Sequence, residues 1–280
     1  MMEMPVLDHA VINARFDMDR AEAVYGDLGF SLTERGYHSL GSVNHLMMFG
    51  DNYLELIGLP SGVDHYRPQI AEAPLGINGL VFKTSDVDSV YSRLRELGMD
   101  GDPPNAFTRP VTLPEGEFPA SFRTVAVRPD VFPGGRVYFC EHGTPNLVWR
   151  PEWQIHENGV EAIREFVVVS EQFRDEAENF AKLLHMDVEE DREALGIPLS
   201  GSRIALLSPE SYRARYAELA SPMAGRPSMF GAVVLQTDDL GTVRKVIGQA
   251  TSPVTVLDQP DRVVLHDTTF DSVLEFIERK

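Results

Sequence analysis

The sequence predicts an α+β protein made of four βαβββ units in two tandem halves, with curled mixed sheets around a cavity and helices outside. Three observations carry this expectation. Four segments open alike: "VLDHAVINARFDMDRAEAVYGDLGF", "GINGLVFKTSDVDSVYSRLRELGM", "IREFVVVSEQFRDEAENFAKLLHM" and "FGAVVLQTDDLGTVRKVIGQA". Each is followed by short apolar runs, so that the pattern returns every 55 to 75 residues or so, roughly the length of a supersecondary repeat. An acid also recurs inside a closing apolar run, as Glu55 in "DNYLELIG" and Glu275 in "DSVLEFIE".

Each opening segment begins with a β-branched run that reads as a strand. A polar turn with Asp, Ser or Thr follows, suited to cap a helix. Apolar residues then come at helical spacing: Ala23, Val24 and Leu28 in the first segment, Val87, Val90, Leu94 and Leu97 in the second. Gly29 and Gly98 stand where helix C-termini favour glycine. Further strands are expected at "SLTERGYHS", "NHLMMFG" and "NYLELIG" in the first unit, and at "FRTVAVRP", "RVYFCEH" and "NLVWRP" in the second. The third unit adds "LGIPLSG" and "RIALLSP"; the fourth adds "PVTVLDQ", "RVVLHD" and "SVLEFIE". A Pro-rich stretch over residues 101–122 reads as irregular: a mobile lid near the cavity, anchored by Phe107, Phe118 and Phe122, or a disordered insertion. The polar "RPEWQIHENGVEA" divides the chain into halves over 1–150 and 151–280.

Composition narrows the function classes. The chain has 280 residues, 43% hydrophobic and 24% charged, as in globular proteins. No apolar run approaches a membrane span, and the N-terminus has no secretory pattern. A formal net charge of −18 argues against nucleic acid. A single cysteine, Cys140, permits no internal disulfide and reads as an inert core thiol, which suits a reducing cytoplasm. No phosphate loop, dinucleotide fingerprint or nucleophile elbow is present.

Because side chains alternate along strands, Leu7, His9 and Val11 share one face, and Tyr53, Glu55 and Ile57 share another. If the two strands are neighbours in register, His9 and Glu55 project into one cavity. Imidazole and carboxylate together suit Zn, Mn, Fe, Co or Ni, and a buried His–Glu hydrogen bond without metal is the plain alternative. His45 is open between substrate contact and ligand. His38 and His65, in loop-like segments, are expected to be solvated. Met47, Phe49, Tyr53 and Trp149 are expected at the cavity edge as contacts for a partly apolar substrate.

Tandem βαβββ units opening with "LDHAV" and reaching "YLELIG" resemble the vicinal oxygen chelate superfamily, which includes glyoxalase I and the extradiol ring-cleaving dioxygenases. "HSLGSVNHLMMFGDNYLELIG" is similar more narrowly to its glyoxalase-like domain proteins. The resemblance implies a divalent metal held by first and last strands of paired units. Carried over by position it assigns His9, Glu55 and Glu141 as metal ligands, with Gly79 at the fourth place, and Glu141 or Glu55 as the group that moves a proton. In the second half it places Glu165, Leu206, Gly231 and Glu275 at the equivalent positions. The two histidines and a glutamate of the dioxygenases are not matched there, so the second half reads as a degenerate duplicate. The function expected is isomerase- or lyase-type chemistry on a small oxygen-chelating substrate, through a metal-stabilised enediolate or oxyanion. The alternative is metal-free sequestration of a small molecule, and a ring-cleaving dioxygenase is the weakest reading. The partners expected are a small-molecule substrate and, as a candidate assembly, a second copy in a homodimer, with no nucleic acid and no membrane.

Overall fold

The computed structural model describes residues 4–62, 67–191 and 194–279. The first half contributes β1 (Leu7–Arg15), β2 (Gly36–Tyr37), β3 (Val43–Met48), β4 (Tyr53–Gly58), β5 (Gly76–Thr84), β6 (Asn105–Leu113), β7 (Gly116–Ala126) and β8 (Arg136–His142). These form one curled eight-stranded sheet in the order β2-β3-β4-β1-β5-β8-β7-β6. The second half repeats the plan with β9 (Val160–Ser170), β10 (Glu189–Glu190), β11 (Leu195–Leu199), β12 (Ser202–Leu207), β13 (Ser228–Thr237), β14 (Val254–Gln259), β15 (Arg262–Asp267) and β16 (Ser272–Glu278), ordered β10-β11-β12-β9-β13-β16-β15-β14. In each unit the opening strand runs parallel to the closing one, as for β1 with β4 and β5 with β8. The fold class expected from sequence is therefore the one observed.

Four helices follow the opening strands, α1 (Met18–Asp27), α3 (Val87–Leu97), α4 (Phe173–Leu184) and α6 (Leu240–Gln249), and two follow closing strands, a short α2 (Pro68–Ala71) after β4 and α5 (Pro209–Tyr216) after β12. Asp86 caps α3 by accepting from Asp88 and Ser89 N–H, and Gly98 ends it with φ 66°. Asp239 caps α6 in the same way. The largest core cluster packs α1, α3, α4 and α6 and the outer sheet faces of both halves together, with Phe132 stacked on Phe180 at 4.0 Å between centroids. A separate cluster fills part of the inside of the first sheet. The inside of the second sheet is filled by α5, whose Tyr212 and Tyr216 are fully buried.

The structure corrects three local expectations. Residues 101–122 are not an irregular lid: most of them form the β6–β7 hairpin, whose register is regular from Asn105↔Thr124 to Leu113↔Gly116. Proline is tolerated because Pro110 and Pro119 lie opposite each other on a strand pair at the sheet edge. "NLVWRP" is not a strand but joins two 3-10 turns, Pro145–Leu147 and Pro151–Trp153. α5 was not anticipated, although Ser208 followed by Pro209 is a helix-start signal.

Candidate functional site

The first sheet curls until its edges meet, with Ser39 N–H donating to the Thr108 carbonyl at 2.8 Å. This encloses a cavity of about 590 Å³ whose lining includes His9, Asn44, Tyr53, Glu55, Arg109 and Tyr138. β-Bulges set the phase of the strands that build it. The β1–β5 register shifts at Asp8 and at Asn78, and the β13–β9 register shifts at Gly231 and Arg164. The residues after the bulges, His9, Gly79, Ala232 and Glu165, are therefore equivalent. Two residues further on, the neighbouring closing strands place Glu55 beside Val11, Tyr138 beside Val81, Glu275 beside Val234 and Ala205 beside Val167.

This geometry brings His9 and Glu55 together. Both are buried, and His9 Nε2 lies 3.5 Å from Glu55 Oε2. Tyr138 presents its hydroxyl 3.3 Å from the same nitrogen. The His9 ring stacks on Tyr53 with centroids 4.4 Å apart. Asn44 Nδ2 donates to Glu55 Oε1 at 2.7 Å. Behind the ring, His9 Nδ1 donates to Asp8 Oδ2 at 2.7 Å, and His142 Nε2 donates to both Asp8 oxygens at 3.0 Å. Burial alone would raise the Asp8 pKa, but the bonds from His142 and His9 outweigh it and hold the carboxyl well below the usual range. With Nδ1 committed to Asp8, the free Nε2 of His9 faces the cavity. The Tyr138 and Tyr53 hydroxyls are pushed up, chiefly by burial.

Glu141 does not join them. It sits three residues beyond Tyr138, on the other face of β8, and accepts from Val87 N–H at the start of α3 at 3.0 Å. Aligning "FCEH" with "YLEL" slips the strand by three residues; the register gives Tyr138, not Glu141, as the partner of Glu55. His142, on the face of β8 opposite Glu141, bonds Asp8. The same correction moves Leu206 to Ala205 and Gly231 to Ala232 in the second half.

Three expected substrate contacts, on β3 and just after it, also lie on the outer side of the sheet. Met47 and Phe49 pack in the core between sheet and helices, and His45 bonds the Thr33 carbonyl and Arg35. Their alternate neighbours Asn44 and Leu46 line the cavity instead. Tyr53 lines it as expected. Trp149 is not part of the lining; it packs edge-on to Tyr53 at 5.6 Å, with Lys83 Nζ 3.9 Å above its ring. His38 is part of the lining rather than solvated, and burial pushes its pKa down to about 4. His65 lies outside the described residues.

Asp8, Tyr138, Arg109 and His142 were missed. "RVYFCEH" carries a usable signal, since apolar Val137 and Phe139 alternate with Arg136, Tyr138, Cys140 and His142. Asp8 carried none, because only a bulge lets it and His9 serve the same interior.

Among the described residues one group of three donors, Asp8, Cys140 and His142, is close enough to hold a metal ion, with ligand atoms within 4.8 Å of one another. Asp8 is already bonded to two imidazoles there, and burial raises the Cys140 thiol. The His9–Glu55–Tyr138 set fits a divalent metal better. The His9 imidazole stands between the Asp8 and Glu55 carboxylates, and that buried negative charge is balanced either by a proton on His9 Nε2 or by a cation between His9 and Glu55, a donor pair that suits a divalent metal. The Asp8–His9 pair has the form of a carboxylate–histidine pair behind a metal.

In the second half the equivalent place is already taken by a cation. Arg215 of α5 donates to Glu165 at 2.6 Å and to Glu275 at 2.7 Å. Arg203 adds a bond to Glu165 and Arg262 a longer one to Glu275.

The sequence matches the glyoxalase-like domain family over residues 7–184. The chain belongs to that family. Comparison by sequence with curated proteins gives no match. Among solved structures the chain is similar to a hypothetical protein from Staphylococcus aureus, with TM-score 0.68 and 16% identity over 99% of this chain and 100% of that one. A variant of 4-hydroxymandelate synthase from Streptomyces coelicolor superposes with TM-score 0.59 and 16% identity, over 100% of this chain and 94% of that one. A fusion protein of a xylose isomerase-like TIM barrel and 4-hydroxyphenylpyruvate dioxygenase gives TM-score 0.60 and 16% identity over 99% of this chain and 49% of that one. At this identity the likeness is one of fold. Among the described residues no helix is long and apolar enough to cross a membrane.

Proposed function

We propose that this glyoxalase-like protein is a divalent-metal-dependent enzyme acting on a small oxygen-bearing substrate in the first-half cavity, by isomerase- or lyase-type chemistry. The observation that carries the reading is the His9 Nε2–Glu55 Oε2 pair, 3.5 Å apart and buried, with Asp8 fixing His9 from behind. His9 and Glu55 would hold the metal, with Tyr138 beside them. A bound metal of this kind supplies Lewis-acid polarisation of substrate oxygens and stabilises an enediolate-like charge.

The chain's own groups do the rest. Asp8 keeps the proton on His9 Nδ1, so that Nε2 stays available. Asn44 holds Glu55 by one oxygen, leaving the other to take a proton from substrate and return it. The Tyr138 hydroxyl is placed to donate to a developing oxyanion. Leu46, Ile57, Phe107 and Phe122 give the cavity apolar walls. The buried free thiol of Cys140 suits a reducing cytoplasm.

A second reading, sequestration of a small molecule without chemistry, draws support from Gly79 and Tyr138, which leave only two strong ligand types at four equivalent positions. A ring-cleaving reaction in the second half is disfavoured by Ala232 and by the Arg215 ion pairs.

Metal analysis of protein purified without chelator separates the first two readings. Wild type should carry one equivalent of a transition metal, and His9→Ala and Glu55→Gln should each lose it together with activity. Glu275→Gln should retain both. Metal that survives in the first two variants but follows Cys140 or His142 would move the ion to the Asp8 group. Its absence from the wild type, with ligand binding intact, would favour sequestration.

A further inference from the structure

The cavity holding His9 and Glu55 also gathers three guanidinium groups, in a chain of formal net charge −18. Two of them have local partners. Arg67 Nη1 donates to Ser42 Oγ at 2.7 Å, and Arg136 Nε donates to Asn78 Oδ1 at 3.2 Å. Arg109 differs. It is 3% exposed, its Nη2 is buried with no acceptor, and no hydrogen bond to a described residue anchors its other nitrogens; Arg136 Nη2 is also without an acceptor, but that side chain is anchored through Nε. Burial pulls its pKa down, and the nearby Tyr53 and Glu55 only partly offset this. Glu55 does not bond it, since Oε1 takes Asn44 and Oε2 faces His9.

A buried guanidinium without an acceptor is expensive, and evolution of a stable core would replace it by an apolar side chain. The backbone around it is nevertheless shaped to keep it. Gly36 faces Asn44 and Arg109, and a Cβ there would collide with Asn44 Oδ1 and lie 3.0 Å from Arg109 Cδ. The adjoining wall is apolar: Phe107, two residues before Arg109 on β6, stacks on its cross-strand partner Phe122 at 5.3 Å. One free planar fork beside an apolar wall matches one planar anion on an apolar body. Arg67 and Arg136, each anchored through one nitrogen, add positive potential, and Arg136 Nη2 is a second donor without an acceptor.

We propose that the cavity binds a small organic monoacid, its carboxylate gripped by Arg109 and its apolar part lying against Phe107 and Phe122. This rests on the first-half cavity being the functional site, as argued above, but not on the metal.

The test uses chelator-treated full-length protein and two pairs of probes, acetate with acetamide and phenylacetate with phenylacetamide, titrated by ligand-observed NMR. Acetate is small enough that no shape mismatch bars it. Each acid should bind roughly tenfold or more tighter than its amide, as expected for a charge-assisted fork. Arg109→Met should abolish that preference and melt no lower than wild type, because it removes an orphan cation. Arg109→Lys, which keeps the charge but not the fork, should retain part of it. His9→Ala should keep it. The proposal is overturned if neither acid binds, if acids and amides bind alike, or if the preference survives Arg109→Met. It is also overturned if the preference appears only after metal is restored, a result that would leave the metal reading standing. A chain that takes up no metal yet shows Arg109-dependent acid binding would instead sink the metal reading and support this one.

Discussion

Glu55 and Glu275 hold equivalent strand positions, yet their surroundings assign them opposite tasks. Glu275 is neutralised by Arg215 and Arg262 and accepts from the Tyr216 hydroxyl at 2.8 Å, so its charge is spent on structure. Glu55 has only the Asn44 amide and the His9 ring, so its charge is available to a cation or a proton. That difference depends on small details of space. Gly36 leaves room for the Asn44 amide that holds Glu55. Gly36→Ala should drive Asn44 and Arg109 from their places, costing about 1–3 kcal/mol of stability as overpacking does, and lowering metal content as well. Denaturant unfolding beside metal analysis checks this; a variant with both values unchanged would mean that the site relaxes around the methyl group. At this scale the sequence exposed His9, Tyr53 and Glu55, since each sits at an odd position in an alternating run. It hid Asp8 because a bulge, which no residue pattern announced, turns it inward.

Among the elements, α5 is the one that separates the two halves chemically. In the first half the interior stays open, lined by the β6–β7 hairpin. In the second half α5 enters the equivalent space, and Arg215 bridges Glu165 and Glu275. Arg215→Met should leave two buried carboxylates short of their shared cation and destabilise the protein by on the order of 3 kcal/mol, the cost of removing one partner from a buried pair. Chemical denaturation measures it, and a near-neutral result would show that Arg203 and Arg262 suffice alone. First-half metal content should not move, because the two interiors are separate clusters. The hairpin shows why element type was hard to read there. Prolines suggested a loop, yet the register pairs them at an edge where no ladder donor is required.

The whole molecule is two such sheets joined across a polar connection that is tightly held. His156, in that connection, accepts from Ser31 N–H through Nδ1 at 3.0 Å and donates through Nε2 to the Met48 carbonyl at 2.7 Å. Its ring lies edge-on to Phe30 and Phe49. Both nitrogens are thus used in the neutral form, and burial lowers the pKa below the ordinary 6.5. The folded value is the depressed one, so the unfolded chain binds the proton first. The stabilisation is present above the unfolded value of 6.5 and is lost as pH falls toward and through the folded value. The unfolding free energy should therefore drop between about pH 7 and pH 5, and His156→Gln should flatten that part of the profile. Equal slopes for the two proteins would remove His156 from the account.

The sequence by itself determined the fourfold repeat, the polar turns that cap the helices, the glycine end of α3, and which faces of their own strands His9 and Glu55 share. All of these are local: caps depend on neighbouring backbone, and periodicity depends on which face is buried. Tertiary structure decided the rest. Register across strands from different units made Tyr138 the partner of Glu55 and left Glu141 outside, because a slip of an odd number of residues exchanges the faces of a strand. Closure of one edge on the other brought Arg109 and Phe107, nearly a hundred residues after His9, into the same cavity. The second interior was filled by a helix whose arginine replaced whatever else its carboxylates could hold. Such long-range pairings have no signature in neighbouring residues, since they depend on how whole sheets curl and meet.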